Sequence, residues 1–96
     1  MITKEEMIAA FNDNEMKFDD IHVKFTERQD LHALRLLDLM MFGENKDIIS
    51  GAEHDKIWLN VDVKEFIKVA SISRIYELAA CGVMYDEDTG SLSMFA

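Results

Sequence analysis

The sequence predicts an α+β fold: one domain over residues 1–96 in which a long hydrophobic helix packs on antiparallel β-hairpins, with short flanking helices. Three observations carry this. Leu31 to Phe42 reads LHALRLLDLMMF, too apolar for an ordinary surface helix. Three capping signatures punctuate the chain, and two pairs of short apolar runs are each joined by turn residues. Ninety-six residues, 49% of them apolar, including seven Met and six Phe, suffice for one core without metal or disulfide staples.

Thr3-Lys4-Glu5-Glu6 is a capping-box pattern, in which the Thr hydroxyl accepts an orphan amide and the Glu returns the bond. It opens a short helix carrying Met7, Ile8 and Phe11 that ends near Asn12–Asn14. Met16 to Phe25 follows, with Ile21, Val23 and Phe25 alternating with His22 and Lys24, the period of a half-buried strand. Thr26 to Gln29 is a second capping box, and Phe42-Gly43 a stop for the long helix it starts. At roughly 100° per residue, Leu36, Met40, Ala33, Leu37, Met41 and Leu34 fill one core arc. His32, Arg35 and Asp38 share the other side with Leu31, Leu39 and Phe42.

Ile48–Ala52 and Lys56–Val61, separated by Glu53-His54-Asp55, read as a hairpin. Asp62-Val63-Lys64-Glu65 is the third cap signature. Apolar positions 63, 66, 67 and 70 keep one helix face, but Arg74 interrupts the stripe before it resumes at Ile75, Leu78 and Ala79. A break at Ser71-Ile72-Ser73 between two short helices follows, the second ending at Cys81-Gly82. The last segment, VMYDEDTGSLSMF, is a second hairpin whose Gly90 can supply a positive φ.

The net charge of −9 is spread along the chain, about −4 over residues 1–30, −2 over 31–60 and −3 over 61–96. Such a surface repels nucleic acid and anionic lipid, because phosphate binding needs clustered Lys and Arg. A winged-helix reading of residues 73–95 fails for the same reason: the recognition helix would offer only Arg74, and the wing tip is Asp-Glu-Asp. The inverse idea is a mimic of DNA phosphates, built from Asp13, Glu15, Asp19, Asp20 and the Asp86–Asp88 tip. The ten bases interspersed among the acids weaken it. The longest dense apolar run, about a dozen residues, carries charges and falls short of the roughly 20 needed to span a bilayer, so no membrane partner is expected. The lone Cys81 and the absence of a signal-type segment point to the cytoplasm.

No catalytic, metal or nucleotide motif is legible, and neither an enzyme nor a cofactor is expected. Asp86-Glu87-Asp88-Thr89-Gly90 clusters carboxylates, but a five-residue turn between strands lacks the length, the sixth-position glycine and the twelfth-position Glu of an EF-hand. A solvated tip is the simpler reading, with cation binding through Asp86 and Asp88 its alternative. His22, His32, His54 and Cys81 match no zinc spacing. His54, between Glu53 and Asp55, has no nucleophile or oxyanion pattern beside it. Cys81, before a helix-stopping glycine, fits a small core residue better than a thiolate nucleophile.

Protein binding is the function best tied to particular residues. Leu31, Leu39 and Phe42 beside Arg35 and Asp38 form an apolar centre with a charged edge, as interface hot spots do. Trp58 shares the strand face of Lys56 and Asn60, opposite Ile57, Leu59 and Val61, and is the second candidate. Asp86, Glu87 and Asp88 are the acidic group that would face a basic partner. An alternative is that the helices and hairpins of one chain cover these apolar features.

The run AEHDKIWLNVDV followed by CGVMYDEDTGSLSMF resembles a pattern in small acidic proteins of tailed bacteriophages and prophages, over roughly residues 30–96. The resemblance implies an accessory protein acting in the bacterial cytoplasm and carries no site residue with it. The expectation is a non-enzymatic protein that binds and inhibits or modulates a host protein of defence or nucleic-acid machinery, itself a homodimer. A self-assembling structural protein and a small cation-binding module using Asp86, Asp88 and His54 are the alternatives.

Overall fold

Thr3 opens the first helix as the sequence predicts: the Glu6 N–H donates to Thr3 Oγ1 at 3.1 Å, and the Thr3 N–H donates to Glu6 Oε1 at 2.9 Å. In the computed structural model, which describes residues 1–13, 16–21, 24, 26–40, 49–53 and 56–95, this helix, α1, spans Lys4–Asn12. The predicted strand at Met16–Phe25 is replaced over its described part by a 3-10 turn at Phe18–Asp20. The Lys17 N–H donates to Asp20 Oδ2 at 2.9 Å, a local side-chain bond that competes with ladder formation. Phe18 and Ile21, three apart, both reach the core. Val23, Phe25 and His22 lie outside the described residues.

The long helix, α2, runs Gln29–Met40. The predicted box at Thr26 is corrected: Thr26 Oγ1 accepts the Arg28 N–H at 3.2 Å, a bond two residues on that turns the chain ahead of the helix, which begins only at Gln29. Its predicted stop at Phe42-Gly43, and Met41, lie outside the described residues. Ala33, Leu36 and Leu37 are buried, and Leu34 and Met40 pack against the core from its margin. His32 is a correction to the helical wheel: it is fully buried rather than on the outer side. The cause is a partner 45 residues away, Glu77, described below.

Strands β1 (Ile49–Glu53) and β2 (Lys56–Leu59) form the predicted antiparallel hairpin, with a bulge between Ile49 and Gly51. The turn residues His54 and Asp55 lie outside the described residues. Asp62 Oδ1 accepts the Lys64 N–H at 2.9 Å to open α3, Val63–Val69. Ala70 then turns extended, and Ser71 Oγ accepts the Arg74 N–H at 3.2 Å to open α4, Ile72–Ala80. The break therefore falls at Ala70–Ser71, at the front edge of the predicted Ser71-Ile72-Ser73 interruption, and Ile72, Ser73 and Arg74 already belong to α4. Gly82, at φ 97°, releases the chain into β3, Val83–Asp86, and Gly90, at φ 69°, closes the turn into β4, Ser91–Phe95.

The two hairpins join through β2 and β4 into one antiparallel sheet of order β1-β2-β4-β3. Leu59 faces Leu92 across this join, Ile57 faces Met94, and Val83 faces Met94 from β3. Those residues share a core with Met7 of α1, Leu36 and Leu37 of α2, Phe66 of α3, and Ile75 and Leu78 of α4. Phe66 is wholly buried and stacks on Phe11 with centroids 6.3 Å apart. Full burial of one such ring stabilises the fold by roughly 1.5–3 kcal/mol. The α+β class is as predicted, with all the core-facing sheet residues on the side the helices share.

Candidate interaction surfaces

Strand alternation sends the remaining sheet residues to the opposite, outer face. There the central row runs Gly51, Trp58, Ser93, Met84 across all four strands, with Lys56 paired to Phe95 on one side of it and Asp86 paired to Ser91 on the other. Trp58, Met84 and Phe95 are absent from the core cluster, and Phe95 is 62% exposed. An ideal Cβ on Gly51 would stand 3.8 Å from Trp58 Cδ1, in ordinary contact.

Lys56 ties this face together. Its Nζ donates to Asp86 Oδ2 at 3.0 Å, so its chain crosses β4 from β2 to β3. The same ammonium lies 4.6 Å from the centroid of the Trp58 ring, within cation–π range. Ser93, in the row between Trp58 and Met84, is fully buried although it points away from the core, and its Oγ has no hydrogen-bond partner among the described residues.

Asp86 is also the anchor of the hairpin tip. Its Oδ1 accepts the Asp88 N–H at 2.9 Å, and its carbonyl accepts the Gly90 N–H at 2.8 Å. The Lys56 hydrogen bond, above all, holds its carboxyl below the ordinary Asp range; the Asp88 and Thr89 amides act in the same direction, against the partial burial that raises it. Both carboxylate oxygens are thus committed. Glu87 and Asp88 remain exposed at the tip. Among the described residues, no three His, Cys, Asp or Glu side chains gather around one point. Asp13, Asp19 and Asp20 are exposed, but Glu15 lies outside the described residues.

The α2 stripe stands apart from this face. Leu31 and Leu39 are each 44% exposed, two turns apart, with Arg35 midway between them on the same side. Arg35 Nη1 meets Asp38 Oδ2 at 3.5 Å, and both side chains are more than half exposed, so the pair adds little stability. Phe42 and the candidate acid or base His54 lie outside the described residues. The structure therefore joins Trp58 to Asp86 and Leu31 to Arg35, Asp38 and Leu39, but not one group to the other.

One polar cluster escaped the sequence reading. His32 Nε2 lies 2.8 Å from Glu77 Oε2, and Arg74 Nη1 lies 3.3 Å from the other Glu77 oxygen. Phe18 meets the imidazole edge-on at 6.0 Å. Burial, then the Glu77 carboxylate, pushes the Cys81 thiol up to about 11. A thiol held protonated suits packing and not nucleophilic attack. The only sequence signal was negative: a histidine beside the core arc with no apolar reason to be buried.

No family model, curated protein or solved structure matches the chain.

Proposed function

We propose that this is a protein-binding module that docks a partner on the outer sheet face, with Trp58, Met84 and Phe95 as the apolar centre and Asp86, Glu87 and Asp88 as the acidic edge. The observation that carries the reading is the collection of three large apolar side chains on the face the core does not use. A tryptophan held by Lys56 beside an acidic tip has the composition of a binding hot spot with a charged rim. A net charge of −9 selects a basic partner and speeds its encounter. The resemblance to small acidic phage proteins makes that partner a bacterial host protein, modulated by occupancy and not by chemistry, in the cytoplasm. No described helix is long and apolar enough to cross a membrane.

The test is affinity capture from bacterial lysate with the parent chain, Phe95→Ser and Trp58→Ala, each checked for unchanged folding. A stoichiometric basic protein, retained by the parent, lost from both variants and eluted by salt, is the expected result. Capture that ignores both substitutions, or that yields no stoichiometric protein, overturns the proposal.

A second surface favours self-association. Leu31 and Leu39 flank Arg35 symmetrically, so a second α2 laid antiparallel brings Leu31 against Leu39 and sets the two Arg35 side chains at the two-fold axis, each beside Asp38 of its own helix at 3.5 Å. This is the isologous arrangement of a homodimer, and it leaves the outer sheet face open to a different partner.

A further inference from the structure

A cleft of about 370 Å³ lies where the start of α1, the β2–α3 connection and the β3–β4 hairpin meet, on the other side of the sheet from the Trp58 face. Its volume falls at the lower end of the roughly 300–1,000 Å³ that hold small organic ligands. Val61, Val63 and Ile67 give it an apolar lining, and all three pack against the core, so the lining is fixed by the fold. Tyr85 adds an aromatic wall beside Gly90.

The polar groups are few and of one dominant sign. Lys4 and Lys64 both line the cleft, and among the described residues neither forms an ion pair, although nineteen acids are distributed over this chain. The Lys4 ammonium stands 6.0 Å from the Tyr85 ring centroid, which orients it over the aromatic wall. The Tyr85 hydroxyl makes no hydrogen bond among the described residues and faces the glycine side of the cleft, 3.9 Å from where a Gly90 Cβ would stand. Asp62 is the one acid in the lining, and its Oδ1 is already turned to the Lys64 N–H. Two ammonium groups against one carboxylate leave the lining at about +1.

We infer that this cleft binds a small organic monoanion with an apolar body, its carboxylate held between Lys4 and Lys64 with a hydrogen bond from Tyr85, its hydrocarbon on Val61, Val63 and Ile67. The positive excess favours an anion, and the apolar lining of Val61, Val63 and Ile67, which inorganic phosphate cannot cover, selects one with a hydrocarbon body. The site is independent of the protein-docking reading, since no residue is shared between them.

Titration of the 15N-labelled chain with 4-phenylbutyrate and with octanoate, followed by amide shifts, tests this. Saturable shifts centred on Val61, Lys64, Ile67, Tyr85 and Gly90 are expected from both acids, with 4-phenylbutanamide and inorganic phosphate giving none. Lys4→Met and Lys64→Met should each weaken 4-phenylbutyrate binding about ten-fold, the loss expected for one charged contact. The charge-matched control Lys17→Met with Lys68→Met should leave it unchanged, and all variants should keep the parent's dispersed spectrum. Equal binding of the neutral amide, or equal loss in the control, overturns the inference. So does the absence of saturable binding by either acid up to about 10 mM, the weakest affinity worth the name of a site.

Discussion

Glu77→Ala is the substitution whose cost follows most directly from the structure. Glu77 accepts from or pairs with His32, which is fully buried at 2.8 Å, and with Arg74 on the helix surface at 3.3 Å. Removing the carboxylate takes from the buried His32 Nε2 its partner at 2.8 Å, at about 1–3 kcal/mol. Its largely buried stem leaves with it, at up to about 1 kcal/mol, while the lost Arg74 pair matters by only ~0.3 kcal/mol and alanine's better helix propensity returns a similar amount. The net is about 2–3 kcal/mol. With an unfolding entropy near 2.1 cal/mol/K per residue, a chain of this size loses roughly 5 °C in Tm per kcal/mol, so a fall of about 10–15 °C is expected. Glu77→Gln keeps the stem and one acceptor oxygen and should lose about half as much. Urea unfolding followed by far-UV circular dichroism gives both values. An alanine variant within about 0.5 kcal/mol of the parent refutes the claim that His32 depends on Glu77 for its buried place.

Cys81 should react with a disulfide reagent at pH 8 about 100-fold more slowly than a free thiol, because a value of about 11 in place of 9.0 lowers its thiolate fraction by that factor; a rate within ten-fold of free cysteine contradicts its placement. The native thiol also keeps its proton to higher pH than the unfolded one, so its contribution to stability should fall as pH rises from 9 toward 11, read by melts across that range. Asp86 runs the other way: its depressed carboxyl contributes stability above the ordinary Asp range, lost as pH falls below 3.8 through its lowered value. Since that protonation releases Lys56 from its place over the indole, Trp58 emission should change in the same acid interval and not in Asp86→Asn. Leu39→Asp should convert a dimer to a folded monomer by light scattering; an unfolded chain would instead make Leu39 part of the core.

What the sequence disclosed was decided within a few residues. Thr3 and Asp62 each accept an amide two or three positions on, so their helix starts were legible without knowing the fold. Gly82 and Gly90 marked the ends of a helix and a turn for the same local reason. Over its described part, Met16–Ile21, the strand reading failed because the Asp20 carboxylate takes the Lys17 N–H into a local turn that periodicity cannot register. His32 misled because its partner stands on another helix. In the candidate surface, alternation alone placed Trp58 opposite Leu59, but the union of Trp58 with Asp86 needed the order β2-β4-β3, which no local pattern encodes.

That union changes how the acidic tip and the tryptophan should be understood. Separately, an exposed carboxylate turn is a solvated loop and a half-buried tryptophan is a residue at the margin of a core. Lys56 makes them one object: its ammonium is shared between the indole face and Asp86, and its chain crosses the small residue Ser93. Gly51 on one side of Trp58 and Ser93 on the other leave the indole bordered by little side-chain bulk. Ser93 is fully covered, so a larger side chain there would have to displace Lys56 or Trp58; the hydroxyl without a hydrogen-bond partner among the described residues, at about 1–3 kcal/mol, is the cost that accompanies the crossing. A basic side chain arriving from a partner would compete with Lys56 for Asp86 and loosen the contact over Trp58. Under the proposed docking reading, the charge that attracts the partner and the ring that binds it are therefore energetically coupled through a single lysine.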